Sequence, residues 1–140
     1  MLWPVRVIHE GSVPNNTSVV LSVDIGGLRV LMPGDVETVA AHEVLLAVRR
    51  DPASGRSRGY DVLKVPHHGS RLQDPTLLSE VRAPVALISV GADNTYGHPA
   101  HGTLDLLWAS GCQVFRTDQR GDIAVARASD GVTLVSTRGR

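Results

Sequence analysis

The chain has 140 residues and a mass of 14.9 kDa, enough to bury one core and too few for two independent ones. Lysine plus arginine and aspartate plus glutamate are equal at 14 each, so no global positive field draws nucleic acid in, and such contact needs a local patch. The single cysteine, Cys112, excludes an internal disulfide and a cysteine-rich zinc site, which leaves the 6 histidines and the carboxylates to hold any metal.

In chain order, Val5 to Ile8 and Thr17 to Ile25 are rich in β-branched residues and read as strands. Gly26-Gly27 is a tight turn, and Leu28 to Met32 is the returning strand of a hairpin. After Pro33-Gly34-Asp35, the apolar positions Val36, Val39, Ala40, Val44 and Ala47/Val48 have helical spacing, with Glu37, His42 and Glu43 on the outer side. Arg49 to Gly59 is a polar loop. Asp61 to Val65 is a short strand stopped by Pro66, and His67-His68-Gly69-Ser70 is the turn behind it. Asp74 caps a short helix that has Pro75 at its first position. Val85 to Val90 is a buried strand, Gly91 to Pro99 a long polar turn, and Ala100 to Ser110 a helix with Leu104, Leu107 and Trp108 on its apolar side, closed by Gly111. Gln113 to Arg116, Ile123 to Arg127 and Val132 to Ser136 complete the set as strands, the last two joined at Asp130-Gly131. Strands interleaved with helices predict a single mixed α/β domain. No apolar run reaches a membrane span and Met1 to Pro4 is no signal peptide, so the chain on its own reads as cytoplasmic, without membrane contact.

Three polar groups of residues each follow a strand: Gly34-Asp35, His67-His68-Gly69-Ser70, and Asp93 to Pro99. Strand ends on one edge of an α/β sheet are where distant side chains meet, and an aspartate with two or three histidines there suits a divalent metal of borderline softness. Each has a plainer role. Asp35 stands where a helix N-cap belongs, His98 precedes Pro99 in a loop, and Ser70 is a helix-start hydroxyl with no triad partner. Adjacent side chains point apart, so one of His67 and His68 at most is a direct ligand. His9, His42 and His101 are background.

Leu63 to Ser70, Ile88 to Pro99 and Arg116 to Gly121, with Asn15 to Leu21 and Leu31 to Glu37 upstream, closely resemble the C-terminal metallo-β-lactamase-fold domain of the ComEC/Rec2 family of competence proteins. The resemblance spans nearly the whole chain. It implies an αββα sandwich with a mixed sheet and flanking helices, and metal-dependent hydrolysis of phosphodiesters in DNA uptake by membrane-associated proteins. It makes Asp35, His68 and His98 the candidate catalytic residues and Asp35, His67, His68 and His98 the candidate ligands of Zn2+ or Mn2+. Ser70, Asn94 and Tyr96 become candidate substrate contacts.

The fold's His-x-His-x-Asp-His signature occurs nowhere in the chain, and no histidine stands in Asn15 to Ser18. Residues 1–140 therefore read as a partial domain without its N-terminal metal-motif half, its apolar sheet face left open or covered by another chain or a second copy. Three readings follow: a hydrolase fragment with an incomplete site and weak or no activity alone, a hydrolase completed by a partner chain or homodimer, and a non-catalytic module for nucleic acid or protein. In the last, Arg49, Arg50, Arg56, Arg58 and Arg71 would contact phosphates.

Overall fold

The computed structural model describes residues 1–51, 59–131 and 133–139. A five-stranded sheet runs in the order β1 (Leu21–Ile25), β2 (Leu28–Met32), β3 (Val62–Lys64), β4 (Val85–Ile88), β5 (Gln113–Arg116). The β1–β2 hairpin is antiparallel and β2 to β5 are parallel, which makes the expected mixed α/β sheet. Parallel neighbours need long crossovers. These carry α2 (Thr38–Arg50), α3 (Pro75–Val81) and α4 (His101–Ala109), while α1 (Val13–Asn16) precedes the sheet. After β5 come α5 (Thr117–Arg120) and the separate hairpin β6 (Asp122–Arg127) and β7 (Thr133–Arg138). Among the described residues, no helix is long and apolar enough to cross a membrane.

Leu31, Leu63, Ala86 and Val114 lie in register across β2 to β5 and share one face. That face meets Ala40, Val44 and Val48 of α2, Leu77, Leu78 and Val81 of α3, and Leu104 and Leu107 of α4 in the core. Asp74 caps α3 as predicted, its Oδ1 accepting from Leu77 N at 2.8 Å. Arg127 ties the β6–β7 hairpin to the sheet by pairing with Asp61 and donating to the carbonyl of Gly27.

Several expectations need correction. Val5 to Ile8 forms no strand: the N-terminal segment touches the sheet at a single bridge, Trp3 to Val20, and leaves Val5 and Val7 more than two-thirds exposed. Thr17 ends α1, and the following strand starts only at Leu21. Glu37 is buried rather than outward, because α2 begins at Thr38 with Glu37 as its cap position. Trp108 is 57% exposed. The buried side of α4 centres on Thr103, Leu104 and Leu107, pulled round by a hydrogen bond from Thr103 Oγ1 to Ser70 O at 2.7 Å. Arg49 and Arg50 belong to the last turn of α2; residues 52–58 of the predicted loop, and Val132, lie outside the described residues.

The first turn of α2 has no cap of its own. Asn16, fully buried, supplies one from a distance: its Oδ1 accepts from Glu37 N at 3.1 Å and Ala40 N at 3.3 Å, while its carbonyl accepts from Trp3 Nε1 at 2.7 Å. Removing the side-chain amide leaves Glu37 N buried and unpaired and leaves Ala40 N only its bond to Glu37 O at 3.2 Å. Asn16→Ala is therefore expected to cost about 2 kcal/mol, read as a lower urea midpoint at unchanged slope. A loss under about 0.5 kcal/mol would show that water replaces the cap.

Candidate functional site at the strand ends

Asp35 follows β2. Its backbone N donates to Ser18 Oγ at 3.0 Å, and Gly34, at φ +61, has no room for a side chain, since a Cβ there would lie 2.7 Å from Ser18 Cβ. The chain is thus pinched against Ser18, and the Asp35 carboxylate caps no helix. Behind β3, Pro66–Gly69 forms a 3₁₀ turn in which His67 and His68 take left-handed backbone angles, φ 42 and 53. Such angles are uncommon for residues with a Cβ and persist only under external restraint. Here His67 N donates to Gly34 O at 3.0 Å on one side, and Gly69 O accepts from Ala100 N at 2.8 Å on the other. A Cβ on Gly69 would come 2.7 Å from Pro99 Cβ. These bonds join all three predicted polar turns at one rim.

His68 Nδ1 lies 2.7 Å from Ser89 O, which only accepts, so in the neutral ring the proton sits on Nδ1 and Nε2 keeps its lone pair. That Nε2 faces Asp35 Oδ1 at 3.8 Å, both side chains partly open to solvent at 45% and 39% exposure. Two electron-rich atoms at this separation call for a shared positive partner, whether a water proton or a cation. His67 turns elsewhere: its buried Nδ1 lies 3.1 Å from Glu37 Oε1, without hydrogen-bond geometry, and Glu37 Oε1 also accepts from Asn15 Nδ2 at 2.8 Å. The adjacent imidazoles therefore diverge, as expected, with ring centres 6.3 Å apart.

His98 reaches the same rim, its ring centre 5.6 Å from that of His67. Burial first, then the neighbouring His67 and His68, hold its pKa below the ordinary imidazole value. Lys64 lies on the other flank with Nζ donating to Val65 O at 2.8 Å; burial lowers its pKa and the Asp35 carboxylate partly opposes that. Asn94 works as a loop staple, its Nδ2 donating to His98 O at 2.6 Å and its Oδ1 accepting from Tyr96 N at 2.8 Å. Ser70 is buried, and its Oγ accepts from Leu72 N at 3.2 Å. Thr117 exchanges hydrogen bonds with the backbone of Val90 and so fixes the start of the Gly91–Pro99 turn.

Outside the rim, His9, His42 and His101 are exposed. Arg49 is taken up by a two-point pair with Glu80, Arg50 and Arg71 are exposed, and Arg56 and Arg58 lie outside the described residues. The sequence reasoning missed Glu37, Lys64, Ser18 and Ser89. For Glu37 and Lys64 the available signal was nearness to Asp35 and His67; Ser18 and Ser89 act through contacts that local pattern does not encode.

A catalytic zinc ordinarily takes about three protein ligands. The rim brings two donors, Asp35 and His68, face to face, and among the described residues no group of three or more His, Cys, Asp or Glu side chains is arranged to hold a metal ion. The donor set among the described residues does not make a complete metal centre.

No family model and no solved structure matches the chain. It is 36% identical over 110 residues to ComE operon protein 3 of Bacillus subtilis, covering 78% of this chain and 13% of that protein. It is 34% identical over 140 residues to Recombination protein 2 of Haemophilus influenzae, covering 99% of this chain and 16% of the relative. Competence protein ComA of Neisseria gonorrhoeae is 29% identical over 119 residues, which is 84% of this chain and 16% of ComA. The chain thus spans less than a fifth of the length of these relatives.

The lowered pKa of His98 has a definite pH signature. Because its folded pKa lies below the unfolded value of about 6.5, the unfolded state binds the proton more tightly, so its contribution is full above that pH and is lost as pH falls through it. Melting temperature measured from pH 7.5 down to 5 is expected to fall more steeply for the parent than for His98→Gln. The imidazole resonance of His98 should titrate closer to the ordinary value in His67→Gln. Parallel melting profiles in the two proteins would contradict this assignment.

Proposed function

We propose, for a chain that belongs as one segment to the ComEC/Rec2 family of competence proteins, that it forms part of a DNA-processing phosphodiesterase site and is not a complete enzyme by itself. The observation that carries the reading is the His68–Asp35 pair: an imidazole held in one tautomer by Ser89 O, its free nitrogen turned toward an open carboxylate. On this reading Asp35 and His68 give two ligands to a Zn2+ or Mn2+ centre, and the remaining ligands come from a preceding segment, a partner chain or a second copy. The bound metal would supply electrostatic stabilisation of the phosphate under attack. The residues of this chain fix the geometry: Ser89 O orients His68, Ser18 holds the Asp35 backbone, and the clamped 67–70 turn keeps both in place. The same reading treats the five-stranded sheet as one layer of an αββα metallo-β-lactamase-like sandwich.

A binding module without turnover is the second reading, favoured by the absence, among the described residues, of a three-ligand set. The two separate by calorimetric titration of the chelator-stripped chain with Zn2+ and with Mn2+. The first reading predicts weak, saturable binding that Asp35→Ala and His68→Ala each weaken by about tenfold or more, equal to about 1.4 kcal/mol, with melting temperature little changed. It also predicts little or no turnover of bis(p-nitrophenyl) phosphate by the chain alone. Binding that is absent in the parent, or indifferent to both substitutions, would overturn it in favour of the module.

A further inference from the structure

Three guanidinium groups that the fold draws in from solvent each meet a carboxylate: Arg29 with Asp51, Arg116 with Asp118 and Arg127 with Asp61. Lys64, the only lysine of the chain, is the exception. It ends β3, and because Leu63 faces the helices, Lys64 leaves the sheet on the opposite face, at the root of the His67–His68 turn. The side chain is half-buried and its Nζ donates to Val65 O at 2.8 Å. Among the described residues no carboxylate stands within ion-pair distance of it. Asp35 lies near enough to favour the charged amine, yet outside that distance.

An ammonium carries three N–H donors, and Val65 O takes one of them. A cation drawn partly out of water without a counter-ion is costly to keep, and an anion arriving beside it removes that cost. The arginines of this fold grip carboxylates through a planar fork, whereas a compact ammonium acts as a point charge on a single phosphate oxygen. We propose that Lys64 is a phosphate contact of the Asp35–His68 site, donating to a non-bridging oxygen, and that it favours a singly charged phosphodiester over a doubly charged terminal phosphate. The charge count gives the preference. One ammonium beside one carboxylate leaves no excess positive charge, so a dianion gives up more hydration than Lys64 returns and meets a stronger repulsion from Asp35.

The inference rests on the phosphodiesterase reading for its ligand class, and it is tested by binding in EDTA, where neither metal nor turnover enters. With a single lysine in the chain, 13C-lysine labelling gives one side-chain Cε signal in the NMR spectrum, that of Lys64. Titration with dimethyl phosphate at pH 8 is expected to move that signal saturably, beyond the effect of sodium chloride at equal ionic strength, and inorganic phosphate, doubly charged there, is expected to bind more weakly. Lys64→Met keeps the apolar stem and removes the charge. Read at the His68 ring protons, it should weaken dimethyl phosphate binding by roughly tenfold or more, with Lys64→Arg falling between it and the parent. A lysine signal that follows ionic strength alone, or equal affinity in the parent and Lys64→Met, overturns the contact; inorganic phosphate as the tighter ligand overturns the diester preference. The lysine signal of the parent decides the matter even where Lys64→Met fails to fold. Because this readout is independent of the Zn2+ titration of Asp35 and His68, either proposal can fail while the other stands.

Discussion

The left-handed turn at His67 and His68 is the constraint on which the rest of the site depends. Two consecutive side-chain-bearing residues at positive φ cost on the order of 1–3 kcal/mol each, so the turn exists only because its surroundings over-determine it. Gly34 O holds it from the β2 side and Ala100 N from the β4–α4 side, while the missing Cβ of Gly69 lets Pro99 close on it. Gly34 belongs to the β2–β3 crossover, and Pro99 and Ala100 belong to the β4–β5 crossover. Holding the turn therefore also brings Asp35, the two histidines and His98 together, and local backbone strain becomes positional accuracy in the site.

A second element of the design is the division of labour at the start of α2. An aspartate before a helix ordinarily spends its carboxylate on the first helical N–H groups. Here Asn16 reaches across from α1 to accept from Glu37 N and Ala40 N, and Ser18 Oγ accepts from Asp35 N. Both carboxylates are thereby released from capping: Asp35 faces His68, and Glu37 faces His67 and Asn15. The buried Asn16 thus serves fold and site together, since the same residue anchors Trp3 in the core.

Much of this was legible in the sequence because it follows from short-range pattern. The Gly26-Gly27 hairpin, the strand before Pro66 and the Asp74-Pro75 helix start came from local turn and cap chemistry, and the rule that strand ends converge placed Asp35, His67/His68 and His98 on one edge. What was not legible depends on partners far away along the chain. Asp35 as a cap was a sound local inference, defeated by Asn16, 21 residues before Glu37. The positive φ of His67 and His68 has only a weak composition signal, since histidine is enriched at such angles but still adopts them uncommonly. Val5 to Ile8 had the right propensity for a strand and no strand to pair with, and Trp108 had the right spacing for the core but was turned out by the Thr103–Ser70 bond.

At the centre of the account is one nitrogen: Nε2 of His68, aimed at Asp35 and bare in the neutral ring because Nδ1 carries the proton toward Ser89 O. A long-range proton–nitrogen correlation spectrum of the 15N-labelled chain above pH 8 reads the tautomer of each histidine directly. The Nδ1–H form at His68 is the predicted result. An Nε2–H form there would place a donor, not a lone pair, opposite Asp35 and would contradict the account.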